Sequence, residues 1–143
     1  MADTVFVLNG PNLNLLGSRE PEIYGTDTLE DIAARLTARA AELGLEVDVR
    51  QSNHEGHLID WLHEAGATGT KAVILNAGGY THTSVAIADA IAAVKTPVIE
   101  VHISNPYARE EYRHKSLIAG KCKGLIAGFG MKGYELAVKS FEK

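Results

Sequence analysis

Apolar positions in this chain follow two spacings. Short unbroken runs at Val5–Leu8, Ala72–Leu75, Pro97–Val101 and Leu125–Ala127 have the length and β-branched content of buried strands, and Glu46–Gln51 alternates like a further strand. Between them the interval lengthens to three and four residues. Leu29, Ile32, Leu36, Ala40 and Leu43 mark one helical face, with Thr28 and Asp31 placed as a capping box and Gly44 placed to end the helix. After the polar break Asn53–Gly56, the residues Leu58, Ile59, Trp61, Leu62 and Ala65 predict a second helix, closed by Gly66. A third helix is expected from Ser84 to Val94 and a last one from Tyr134 to Phe141. The charged stretch Ala108–Lys115 reads equally as a short helix or a solvated turn.

Strands that alternate with helices need crossover connections, and crossovers make parallel strands covered on both faces. The pattern therefore predicts an α/β fold: a flavodoxin-like, doubly wound five-stranded parallel sheet in the order 2-1-3-4-5, in a single domain spanning residues 1–143. No internal repeat or linker interrupts it. One connection stands out. Asn9–Tyr24 is far longer than the roughly 2 to 6 residues usual between strand and helix, and long loops of this kind are usually functional. It begins at a strand's carboxyl end, which is where open α/β sheets bind ligands. In the expected order the first, third and fourth strands are neighbours. Their polar ends, Asn9–Asn12, Asn76–Gly79 and Glu100–Asn105, then face one crevice.

Candidate chemistry gathers at those ends. Glu100 and His102 are two apart on a strand and share a face, so the carboxylate can orient the imidazole as a general acid or form a structural ion pair. Asn12 and Asn76 suit ligand contact, although turn asparagines often bond only their own backbone. Tyr24 lies on the long loop with Arg19. A phenolate held beside that cation on a closing lid would serve as a base next to a carbonyl, with water excluded.

Other motifs fail on spacing. His54-Glu55-Gly56-His57 is one residue short of the zinc motif that needs histidines at i and i+4. Ser84, His82 and Asp89 form a triad only on paper, without a nucleophile elbow. No dinucleotide fingerprint follows the first strand, and Gly78-Gly79 alone is a weak sign of close ligand approach.

Composition narrows the classes further. The 143 residues carry 14 basic and 18 acidic side chains, a net charge of −4, which disfavours nucleic acid and anionic membrane as partners. The lone Cys122 cannot form a disulfide within the chain, and the first residues lack the pattern of a secretory signal, so the expected compartment is the cytoplasm. Two rival classes are a flavin or nucleotide binder, which would use the same crevice, and a receiver-type regulatory module. The latter wants acidic residues after the first strand, where Asn9-Gly10 stands.

Taken together, the motifs resemble a known family. Asn9-Gly-Pro-Asn-Leu-Asn-Leu-Leu-Gly17 with Arg19 and Tyr24-Gly25, Gln51-Ser52-Asn53, Asn76-Ala-Gly-Gly79 with Thr81-His-Thr-Ser84, and Glu100-Val-His-Ile-Ser-Asn105 with Ala108-Arg-Glu-Glu111 are similar in order and spacing to type II 3-dehydroquinate dehydratase. The similarity covers essentially the whole chain. It implies a hydro-lyase of the shikimate pathway of aromatic amino acid biosynthesis, acting through an enolate without metal or cofactor. Quinate breakdown uses the same reaction. The resemblance also implies that Tyr24 is the base, held as phenolate by Arg19, that Asn12 stabilises the enolate oxygen through a water, and that His102, oriented by Glu100, protonates the departing hydroxyl. Asn76, His82 and Arg113 would contact substrate hydroxyls, and the backbone N–H groups of Ile103 and Ser104 the carboxylate. Asp89 would reach in from a neighbouring subunit of a homo-oligomer, trimers grouped into a dodecamer.

Overall fold

A computed structural model describes residues 3–142. The elements are strand β1 (Asp3–Asn9), a helical turn α1 (Pro21–Tyr24), helix α2 (Leu29–Glu42), β2 (Leu45–Gln51), α3 (Glu55–Thr68), β3 (Ala72–Asn76), α4 (Val85–Ala93), β4 (Val98–His102), β5 (Gly124–Ala127) and α5 (Lys132–Lys139). All pairings in the sheet are parallel and the order is β2-β1-β3-β4-β5, as the alternating pattern predicts. No helix among the described residues is long and apolar enough to cross a membrane.

The period-two geometry of the strands divides the core between the two faces of the sheet. Val5, Val7 and Ile74 face a layer made by α2 and α5, with Ile32, Leu36, Ala137 and Val138. Phe6, Leu8, Val73 and Leu75 face α3 and α4, with Leu58, Leu62, Ile87 and Ile91. Helix α2 starts at the predicted capping box. Thr28 Oγ1 accepts from Asp31 N–H at 3.1 Å and Asp31 Oδ2 accepts from Thr28 N–H at 2.9 Å. These bonds hold the Asp31 carboxyl below its ordinary range.

Helix α3 departs from expectation at its end. Gly66 does not close it, because the helix continues to Thr68 and stops at Gly69, whose φ of +69° is the left-handed conformation that glycine tolerates. Gly66 serves packing instead. A Cβ there would lie 2.9 Å from Val94 Cγ1, so its missing side chain lets α3 approach the end of α4. The charged stretch after β4 forms two 3-10 turns, Pro106–Ala108 and Glu111–Arg113, between the two sequence alternatives.

The connections reverse direction between β1 and β3, the switch point at which a crevice opens above the strand ends. In register there, Asn9 lies beside Gln51 on one side and Asn76 on the other. Two glycines allow the backbones to meet. A Cβ on Gly10 would be 2.5 Å from Ala77 O, and Gly78, with φ of +59°, passes against Pro11. The buried Tyr134 of α5 completes the junction: its hydroxyl donates to Asn9 Oδ1 at 2.7 Å and accepts from Asn76 Nδ2 at 2.9 Å. Burial pushes this phenol well above its ordinary pKa, so it stays a neutral donor.

Candidate active site

The crevice is a cavity lined by Asn12, Arg19 and Tyr24 from the long loop, Asn76 at the end of β3 with His82 beyond it, and His102 at the end of β4 with Ile103, Ser104, Arg109 and Arg113 beyond it. Each wall is held by a local reason. Asn76 accepts from Gly78 N–H through Oδ1 at 3.2 Å and gives one Nδ2 hydrogen to Tyr134, so its amide is fixed at both ends with the second Nδ2 hydrogen still free among the described residues. His82 leaves the following turn with Nδ1 against Lys115 O at 2.8 Å. A carbonyl can only accept, so Nδ1 carries the hydrogen and a neutral His82 presents Nε2 as an acceptor.

The acid candidate forms as the strand spacing requires. Glu100 and His102 emerge from β4 on one face, with His102 Nε2 2.5 Å from Glu100 Oε2 and the carboxylate 1% exposed. Nε2–H donates to the carboxylate, which leaves Nδ1 as the nitrogen able to hold a proton toward a ligand. The His82 ring stacks beside it, centroids 6.5 Å apart. Glu100 Oε1 accepts from Ser116 Oγ at 2.9 Å, so both carboxylate oxygens are engaged.

The long loop folds over this floor. Leu13 and Leu16 are buried in the α2/α5 layer, worth about 2 kcal/mol each by area, and anchor its first half. Asn12 adopts the left-handed conformation, φ +71°, which asparagine tolerates better than most residues. Its N–H donates to Asn53 Oδ1 at 3.0 Å, and Asn53 is itself held by Gln51 Nε2 and Tyr80 Oη.

The second half, α1, is fastened by Tyr24, and here an unexpected residue intervenes. Arg19 lies over the ring, its Cζ 4.9 Å from the centroid, and is paired with Glu20. The phenol oxygen is bonded by Arg109, whose Nη1 donates to Tyr24 Oη at 2.8 Å and reaches Ser104 Oγ at 3.3 Å. Two guanidiniums thus bracket one phenol.

Of the residues named from the sequence, Asn12, Arg19, Tyr24, Asn76, His82, His102, Ile103, Ser104 and Arg113 line the cavity. Glu100 sits behind His102, and Asp89 lies exposed on α4, away from this wall. The paper triad dissolves, since Ser84 caps α4 and bonds Glu55 while His82 bonds Lys115. His57 bonds Ser52 Oγ at 2.7 Å, a structural contact at the start of α3. Burial pushes the Cys122 thiol up to about 12, which keeps it protonated and a poor nucleophile. Arg109 enters the sequence reading only within the motif Ala108-Arg-Glu-Glu111, with no role of its own, and Ser116 and Tyr134 are not singled out. Their signal was weak: a charge among charges, a turn serine and an apparently apolar helix face.

The chain matches the family model "Dehydroquinase class II" over residues 3–142. It is 60% identical over 142 residues to a 3-dehydroquinate dehydratase of Rhizobium johnstonii, covering 99% of this chain and 97% of that protein. Among solved structures it superimposes on a type II dehydroquinase from Propionibacterium acnes with a TM-score of 0.96 and 49% identity, covering 99% of this chain and 97% of the other. A type II dehydroquinase from Butyrivibrio crossotus gives 0.97 and 44%, covering 99% of both chains.

The bonding of Tyr24 makes a prediction about the loop itself. The backbone bonds of α1 are all local, running from Ile23, Tyr24 and Gly25 back to Glu20 and Pro21. Arg109→Ala should therefore raise amide hydrogen exchange at Ile23–Gly25 by roughly tenfold, the worth of one charge-assisted bond, without lowering protection in the strands. Arg19→Ala should raise it less. Equal exchange in the Arg109 variant and the parent would show that the bond does not hold the loop.

Proposed function

The chain belongs to the class II dehydroquinase family, and from that premise we propose that it catalyses the reversible dehydration of 3-dehydroquinate to 3-dehydroshikimate, as a single catalytic domain spanning residues 1–143. The observation that carries this reading is the pairing of opposite tools in one cavity: a phenol bracketed by Arg19 and Arg109, and an imidazole backed by a buried carboxylate.

In this mechanism Tyr24, as phenolate, takes the proton beside the ketone. The electron pair moves onto the ketone oxygen as an enolate, which Asn12 stabilises through a water. The enolate then collapses, the hydroxyl leaves on the opposite face as His102 gives it a proton, and one water is lost for one C=C bond formed. Glu100 holds the ring and balances the charge of the imidazolium. Asn76, His82 and Arg113 hold the substrate's hydroxyls, His82 accepting through Nε2. The N–H groups of Ile103 and Ser104 hold its carboxylate. No step calls for a metal or an organic cofactor. The substrate is small, and neither nucleic acid nor membrane enters the reading. The protein acts in the cytoplasm, in aromatic amino acid biosynthesis.

Purified protein mixed with 3-dehydroquinate should produce the ultraviolet absorbance of a conjugated enone. Tyr24→Phe should lower kcat and kcat/KM together, by at least about 100-fold, with KM little changed. No absorbance at high enzyme concentration would reject the reaction, and a Tyr24→Phe protein with most of its kcat would reject the base.

Assembly belongs to the same proposal. Asp89, exposed on α4, completes the site of an adjacent subunit within a trimer, and trimers group into a dodecamer. Contacts in a cyclic trimer run head to tail, so each site takes its loop from one chain and Asp89 from the next. If Tyr24→Phe and Asp89→Asn each abolish activity, unfolding, mixing equally and reassembling them should restore about a quarter of the sites. Mixed oligomers, confirmed by mass, that stay as inactive as the separate variants would place Asp89 outside a shared site.

A further inference from the structure

The turn after Arg113 is bonded to the site more closely than its position at the rim suggests. Leu117 N–H donates to Thr81 O at 2.9 Å, and Lys115 O accepts from His82 Nδ1 at 2.8 Å, so the turn is tied to the segment that carries His82. Between them sits Ser116. Its Oγ accepts from Ala119 N–H at 3.0 Å and from Ile118 N–H at 3.3 Å, which occupies both lone pairs. The hydroxyl hydrogen is left with one acceptor, Glu100 Oε1 at 2.9 Å. The donor direction is therefore set by the backbone.

We propose that Ser116 is a positioning residue for the acid: it pins one oxygen of Glu100 so that the other stays aligned on His102. The inference rests on the reading of His102 as the acid that protonates the departing hydroxyl. Glu100 is almost fully buried, and no other side chain among the described residues donates to its Oε1. Without the serine hydroxyl the carboxylate has an oxygen with no side-chain donor. It can then rotate about its terminal bond to share one donor between two oxygens, and the imidazole loses its fixed partner. Ser116 bonds the carboxylate and does not line the cavity, so its direct route to the acid is through Glu100.

The test is a double-mutant cycle on the assembled enzyme with 3-dehydroquinate as substrate, comparing parent, Ser116→Ala, Ser116→Thr, Glu100→Ala and the Ser116→Ala/Glu100→Ala pair. Ser116→Ala should lower kcat by about tenfold or more while KM stays within about twofold, because a charge-assisted bond is lost beside the acid and not beside the bound substrate. Ser116→Thr, which keeps the hydroxyl, should recover most of that loss. In the Glu100→Ala background the serine change should cost almost nothing further.

An unchanged kcat in Ser116→Ala, a loss that appears as KM, or an equal loss in the Glu100→Ala background would each show that Ser116 supports only the turn. If Ser116→Ala does not fold, Ser116→Cys is read in the same cycle. Its weaker donor should give an intermediate kcat, and parental kcat there overturns the proposal. His102→Ala separates the two levels. Retained turnover in that variant removes the acid reading beneath the proposal, whereas its loss beside an undisturbed Ser116→Ala removes Ser116 alone.

Discussion

One buried hydroxyl ties the fold to the site. Tyr134, on the last helix, donates to Asn9 at the end of β1 and accepts from Asn76 at the end of β3, across the point where the winding of the sheet reverses. Both asparagines are buried, and a buried amide without a partner costs about 1 to 3 kcal/mol, so the three groups stabilise one another only as a complete set. Asn76 faces the cavity and Asn9 starts the long loop, so this bond pair adds a side-chain tie between two walls to the backbone pairing of β1 and β3. The glycines at positions 10 and 78 then let the two strand ends come together closely enough for it to form.

Around that junction the site separates charge by element. Cationic side chains come from the rim, Arg19 on the long loop and Arg109 and Arg113 on the turns after β4. The buried anion, Glu100, comes from the sheet itself and lies behind an imidazole. A rigid strand thus carries the group whose orientation matters most, and a loop fastened by only a few contacts carries Tyr24. Such a division suits chemistry in which a small anionic molecule must enter, be covered and leave. The stretch between the buried Leu16 and α2 carries Tyr24, and the bond from Arg109 to its hydroxyl fastens it over the crevice.

Much of this was legible in the sequence, for identifiable reasons. Strands buried on both faces leave unbroken apolar runs, and α2 announces itself by a capping box that forms as spelled. Glu100 and His102 could be paired because strand geometry alone puts residues two apart on one face. Gly66 was misread because a glycine that ends a helix and one that admits a neighbouring helix look the same in one dimension; Val94, which distinguishes them, is far along the chain. Arg109 was hidden for a related reason. It sits in a run of mixed charges that resembles a solvated turn, yet its guanidinium bonds a tyrosine 85 residues earlier. Tyr134 and Ser116 likewise act through hydroxyls whose partners are distant, and no local period marks them.

The proposed mechanism divides the labour: Tyr24 removes the proton beside the ketone, and His102 serves only the departing hydroxyl. Deuterium exchange into 3-dehydroquinate separates the two steps, because exchange needs the base and not the acid. Followed by nuclear magnetic resonance in D2O, His102→Ala should exchange the proton beside the ketone while forming little enone, and Tyr24→Phe should do neither. Exchange that persists in Tyr24→Phe and vanishes in His102→Ala would assign the base to the histidine and contradict the account.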